Sequence, residues 1–248
     1  MRTRDRIISI TALSSLLIVG MVGSGLAAEA TVGADVVSAY VWRGITFNDS
    51  LVVQPSLDVA HPSGIGFNVW GNYDARDGDI DGDGVNDVSG DDFQEIDLTV
   101  SYAIPVEGFD LSVGLIDYTF PGGGSSTLET YVSGGVALGE YVSLGLTGYY
   151  DVDEVEDYYL SASVGVTLPL TKSLGLDLGA SAGYAGEDMS AGTDSGFHDY
   201  NFSAATAIPL AESVELGMFV AYTGSFDDDV LPDQEVDLYG GVGVYHSF

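Results

Sequence analysis

The densest run of ligand-type side chains is Asp79-Ile80-Asp81-Gly82-Asp83-Gly84-Val85-Asn86-Asp87. Carboxylates at its first, third, fifth and ninth positions, with glycine at the sixth for the sharp turn, have the spacing of the front of a calcium loop. Calcium takes oxygen ligands, so Asp79, Asp81, Asp83 and Asp87 would offer carboxylates and Val85 a backbone carbonyl. The twelfth position is Gly90 rather than a bidentate Glu, although Asp91 and Asp92 follow at once. Ca2+ is the cofactor this spacing implies, with the structural role of ordering a loop. The plainer alternative is a solvated acidic loop that meets divalent ions only loosely. A second acidic tip, Asp227-Asp228-Asp229 with Asp233 and Glu235, has no such spacing and reads as a solvated loop.

Other carboxylates recur inside alternating segments, on the face that carries small and polar residues. These are Asp35, Asp58, Glu95, Asp97, Asp110, Asp177, Asp199 and Glu215, joined by Glu129 and Asp237, with Arg43 the main basic residue available to balance them. If that face encloses water, one sign of charge draws cations in and keeps anions out. The alternative is a closed interior, in which these carboxylates accept hydrogen bonds from Ser, Thr, Tyr and Asn neighbours. Inward Trp70, Tyr149, Tyr159, Phe219, Tyr239 and Tyr245 would partly fill the space. No catalytic residue is assigned, since His61, His198 and His246 lack any spacing that marks a nucleophile and base. His198 reads as an interfacial residue at the outer rim.

The elements that must position these groups are strands. Apolar residues alternate with small or polar ones from residue 31 onward, as in Glu95–Ile104, where Ile96, Leu98, Val100 and Tyr102 oppose Glu95, Asp97, Thr99 and Ser101. The pattern predicts about twelve strands: 31–43, 52–60, 65–74, 93–104, 109–118, 128–137, 141–151, 157–168, 174–185, 197–208, 214–223 and 236–248. Short turns alternate with longer acidic loops, as in single-chain outer-membrane barrels, where the short set is periplasmic. Tyr40, Trp42, Tyr73, Tyr150, Tyr158, Tyr184, Tyr200 and Tyr222 read as an outer aromatic girdle, and Phe67, Tyr102, Phe109 and the terminal Phe248 as an inner one. The expected fold class is all-β, a transmembrane antiparallel up-and-down barrel. A soluble β-sandwich would also alternate, but it would carry many more Lys and Arg on its outer face.

The first residues point to export. Arg2, Arg4 and Arg6 precede an apolar stretch from Ile7 to Val22, and small residues near Ala27 and Ala28 follow, which is the layout of a cleavable signal peptide. Residues 1–28 are thus expected to be the signal peptide and 29–248 the barrel. Without that peptide the chain keeps 37 acidic residues against Arg43, Arg76 and Lys172. Such a charge excludes nucleic acid as a partner. The absence of cysteine removes thiolate sites and disulfides. A hydrophobic fraction of 46% argues against disorder.

Four pieces carry a family likeness: Tyr40-Val41-Trp42-Arg43-Gly44-Ile45, Gln54-Pro55-Ser56-Leu57, Phe67-Asn68-Val69-Trp70-Gly71-Asn72 and Tyr118-Thr119-Phe120-Pro121-Gly122. With them the chain resembles the TorF-type porins, largely uncharacterised outer-membrane barrels. The resemblance implies a barrel with a pore and no established substrate. Two functions follow as expectations. One is a small porin in the bacterial outer membrane, passing cations or small polar solutes. The other is a non-conducting surface or structural barrel with calcium-ordered outer loops. Expected partners are outer-membrane lipid, lipopolysaccharide and the periplasmic barrel-assembly machinery. Arg43 is expected at the outer end of the first strand, paired inward with an acid of a neighbouring strand.

Overall fold

Strands with one apolar and one small or polar face cannot satisfy both faces alone. Closing them into a ring pairs every backbone edge and separates the two faces, one to lipid and one to the lumen. The computed structural model of the chain, which describes residues 28–171 and 173–248, has this arrangement. Its strands are β1 (Glu29–Val37), β2 (Tyr40–Trp42), β3 (Ile45–Asn48), β4 (Val52–Ala60), β5 (Ile65–Asp74), β6 (Asp92–Val106) and β7 (Phe109–Thr119). They continue as β8 (Thr127–Leu138), β9 (Val142–Asp151), β10 (Tyr158–Pro169), β11 (Gly175–Ala185), β12 (Gly196–Ala211), β13 (Val214–Ser225) and β14 (Leu238–Ser247).

Twelve strands form one closed antiparallel barrel, each paired with its neighbour in sequence once β2 and β3 are set aside. The ring closes where β1 meets β14, in register from Thr31 opposite Ser247 to Val37 opposite Gly241. The expected all-β barrel is the fold observed. The expected signal peptide, residues 1–28, lies outside the described residues apart from Ala28.

The two faces separate as the alternation requires. Val32, Leu98, Val100, Leu146, Phe202 and Val244 are exposed on the outside. In water a wall of this kind would aggregate, whereas in hydrocarbon it is solvated. Aromatic pairs ring the end that carries the long loops: Tyr158 stacks on Tyr184 at 6.4 Å and Tyr200 lies 6.3 Å from Tyr222. Phe67, Tyr102, Phe109 and Phe248 are exposed toward the end with the short turns. No helix among the described residues is long and apolar enough to cross a membrane.

The first predicted strand needs correction. The wall ends at Val37, and residues 40–48 leave it as a separate two-stranded hairpin, β2–β3, joined to no barrel strand. Ser38 terminates the strand by donating its N–H to the Gly240 carbonyl at 3.0 Å, while its hydroxyl accepts from the Gly240 N–H at 3.1 Å. The hairpin packs inside the barrel against Val37, Val52, Trp70, Phe219, Ala221 and Tyr239. Tyr40 and Trp42 therefore belong to the interior and not to the outer girdle. Tyr40 is 3% exposed, stacking on Phe47 at 5.3 Å and meeting Trp70 at 5.5 Å. The physical reason is burial: Trp70, Phe219 and Tyr239, with Val37, Val52 and Ala221, offer these side chains a packed site within the lumen.

Candidate functional site: the hairpin across the outer lumen

The tip of the hairpin is a two-residue turn, with Trp42 paired to Ile45 and positive φ at both Arg43 (50°) and Gly44 (80°). This is the primed turn that matches strand twist, and Asn-Gly or Gly-Gly would suit it best. Arginine in the left-handed region costs on the order of 1–3 kcal/mol, so its side chain has to repay that cost. Gly44 is required twice over: beyond its φ, a Cβ there would stand 2.6 Å from Asp199 Cβ and 2.8 Å from Leu231 Cδ2.

Arg43 spans the lumen. Its Nη1 and Nη2 donate to Oε1 and Oε2 of Glu129, each at 2.8 Å, a parallel fork-to-fork pair. Glu129 is on β8, separated from β1 along the wall by β4, β5, β6 and β7, so the partner lies across the barrel and not on a neighbouring strand as expected. The guanidinium carbon sits 4.1 Å from the ring centre of Trp42, 4.3 Å from Tyr159 and 4.5 Å from Tyr149. Tyr118 donates to the same carboxylate at 2.8 Å, fixing its orientation. Burial alone would lower the Arg43 pKa, but the facing Glu129 carboxylate together with Tyr118 and Tyr149 outweighs this, and the group is held above its ordinary value.

The remaining upper carboxylates surround this tip. Tyr40, on β2, donates to Glu95 Oε2 at 2.7 Å, tying the base of the hairpin to β6. Asp97 is 9% exposed and its Oδ1 has no hydrogen-bond partner. Asp199 accepts from Tyr159 at 2.6 Å and lies 3.0 Å from His198 Nδ1. His198 sits near the outer end of β12, as expected, but is 1% exposed, so its expected interfacial side chain is corrected to a buried one. A bulge explains it: Ala182 faces Tyr200 and Tyr184 faces Phe197, so β12 carries one extra residue here and turns His198 and Asp199 both inward. Residues Val230 and Leu231 of the 226–237 loop are buried above the tip, and Gln234 accepts from the Thr46 N–H at 2.9 Å. Hairpin and loop together occupy the outer lumen.

Below them the lumen is lined by small and polar residues. Asp35 accepts from Tyr245, Asp58 from Asn68 at 2.9 Å, and Asp177 from Thr167 at 2.6 Å. Glu215 lies opposite Tyr245, while Asp110 is exposed at the end with the short turns. Asp237 is exposed at the other rim, just before β14, where its carbonyl accepts from the Thr223 N–H at 2.8 Å. Among the described residues Arg43 is the one arginine or lysine inside the barrel, the other arginine, Arg76, being exposed in the 75–91 loop.

That loop holds the acidic run. Carboxylate oxygens of Asp79, Asp81 and Asp87 lie within 4.8 Å of one another. Asp83 is outside this group, its Oδ1 accepting from the Val85 N–H at 2.8 Å. The Gly84 N–H donates to Asp79 Oδ2 at 2.7 Å, which folds the sixth position back onto the first. Val85 is exposed, and Asp79 Oδ1 is shielded from solvent without a partner. The donor set is all oxygen, which suits a hard cation such as calcium.

A family model described as a bacterial protein of unknown function (Gcw_chp) matches residues 23–231. The chain belongs to this family. No curated protein matches it in sequence. Among solved structures, the KdgM porin aligns with a TM-score of 0.57 and 13% identity, over 88% of this chain and 99% of the other. The NanC porin aligns with a TM-score of 0.55 and 10% identity, over 89% and 98%. An outer-membrane channel from Pseudomonas putida F1 aligns with a TM-score of 0.56 and 14% identity, over 89% and 95%. At these identities the likeness is one of fold: this Gcw_chp member has the twelve-stranded barrel of outer-membrane porins and channels.

The hairpin is what the sequence reading missed. A signal was present: Tyr40-Val41-Trp42 and Ile45-Thr46-Phe47 flank Arg43-Gly44, two alternating runs separated by a two-residue, glycine-containing turn.

Proposed function

We propose that the protein is a small porin of the TorF type in the bacterial outer membrane, passing cations or small polar solutes, with the β2–β3 hairpin as its constriction. The observation that carries this reading is the lumen. A closed barrel of porin fold encloses one face made of Gly, Ser, Ala and Thr with Asp35, Asp58, Asp97 and Asp177 among them. One sign of charge in a narrow aqueous path lowers the energy of counter-ions and raises that of co-ions. The exposed apolar wall supports contact with lipid and lipopolysaccharide, and assembly by the periplasmic barrel machinery follows from export. Planar-bilayer conductance of refolded protein, with reversal potentials in a salt gradient, tests it. Discrete cation-selective steps are expected; silence, or anion preference, would sink the pore reading.

A second reading is favoured by the filling of the outer lumen by the hairpin, Val230 and Leu231. In it the barrel does not conduct and serves as a surface or structural platform whose outer loops are ordered by calcium. The cluster of Asp79, Asp81 and Asp87 would hold the ion, with Asp83 and the Val85 carbonyl completing the shell after small rearrangement. Calorimetric titration of the barrel with calcium, repeated with Asp81→Ala and Asp83→Ala, tests the loop. Identical heats in all three would dispose of the site.

A further inference from the structure

The wall that receives Arg43 is built as a receptor for a guanidinium group. Four side chains of the wall converge on one point: Glu129 offers both carboxylate oxygens in the plane of the fork, Tyr118 fixes that carboxylate, and Tyr149 and Tyr159 present their ring faces. A fifth group, Met189 Sδ in the 186–195 loop, accepts from Nη1 at 3.5 Å. Planar bidentate acceptors select guanidinium over ammonium, and flanking aromatic faces favour a cation that is weakly hydrated. A salt bridge needed only to hold a hairpin has no need of this shape. The occupant is also placed there against its own backbone preference, since Arg43 has φ 50° where glycine or asparagine would be relaxed.

We propose that this cage is a binding site for guanidinium-bearing solutes, that Arg43 occupies it as an internal stand-in, and that such a solute displaces Arg43 and loosens the hairpin. The solute's onward passage rests on the pore reading; its binding does not. The acidic outer loops and lumen concentrate cations at the mouth, which brings the ligand to the cage. Because Arg43 is tethered at high effective concentration, a free ligand competes at a disadvantage in the natural chain and without one when Arg43 is removed.

The test uses the purified full barrel in detergent micelles. Arg43→Gly empties the cage and relaxes the turn, and Arg43→Gln is a second variant that keeps the stem. Methylguanidinium chloride is titrated at constant ionic strength against sodium chloride, reading tryptophan fluorescence, since Trp42 borders the cage and Trp70 packs on the hairpin. A saturable response is expected in Arg43→Gly or Arg43→Gln. It should be at least about tenfold weaker in the natural chain and absent when Glu129→Gln is added to either variant. Equal affinity in the natural chain, a response that survives Glu129→Gln, or one that methylammonium reproduces would each overturn the proposal. The binding readout stands apart from conductance: a silent bilayer with intact binding removes the pore and leaves the cage, while conductance without binding does the reverse.

Discussion

Glu129→Gln isolates the Arg43 clasp with the least change of shape. It keeps the side-chain volume and one acceptor but leaves Arg43, whose side chain is 8% exposed, with a neutral partner inside the barrel. Removing one member of a buried, fork-to-fork pair costs about 3–5 kcal/mol, most of it the penalty of an uncompensated charge. The three aromatic faces remain in contact with the guanidinium and soften the loss, so about 3 kcal/mol is the working figure. At roughly 1.4 kcal/mol per factor of ten, the population of released hairpin should rise about 10²-fold. Trypsin reads that population, because Arg43 is one of the few basic residues outside the expected signal peptide. When opening is fast relative to cleavage, the rate follows the open fraction. Arg76, exposed in the 75–91 loop, is cut in both proteins and serves as the internal standard. The expected result is cleavage after Arg43 accelerated about a hundredfold relative to cleavage after Arg76. Equal ratios in the two proteins would refute the clasp. So would rapid cutting after Arg43 in the unmodified barrel, which would mean the hairpin is not docked.

Gly44→Ala should also release the hairpin, because a Cβ would meet Asp199 and Leu231 and Ala would be held at positive φ, at a cost of about 1–3 kcal/mol; hydrogen exchange at the Thr46 amide reports it, and unchanged protection would count against the packing. Tyr40→Phe removes the donor to Glu95 at the hairpin base and should cost about 1–3 kcal/mol in the same assay, with no change expected if that bond is idle. On the pore reading, Asp35→Asn with Asp58→Asn lowers the cation-over-anion permeability ratio without changing the barrel's heat-modifiable migration; an unaltered reversal potential would place the selecting charges elsewhere. Arg43→Ala should assemble less well, since Glu129 would then be buried opposite no cation, and normal heat-modifiable folding would contradict this.

The wall was legible because its period-two pattern is enforced by two solvents at once. Leu98 and Val100 must meet lipid while Asp97 and Thr99 meet the lumen, so composition and register both report the same alternation. The hairpin escaped for a related reason. Val36, Tyr40 and Trp42 continue in phase with the strand that ends at Val37, and aromatic residues at a strand end are also what a membrane girdle looks like. Alternation says which residues share a face and nothing about whether that face stays in the wall. Likewise the bulge that turns His198 inward changes direction by a single residue and leaves no mark on the pattern. Arg43 was readable as an inward charge among carboxylates, but its partner was not. Glu129 is 86 residues away and across the barrel, and only the depth to which the hairpin folds decides which acid it reaches. The features that would set what passes through this barrel are therefore long-range contacts carried by a nine-residue excursion, 40–48, while those that fix the barrel itself are local and repeated in every strand.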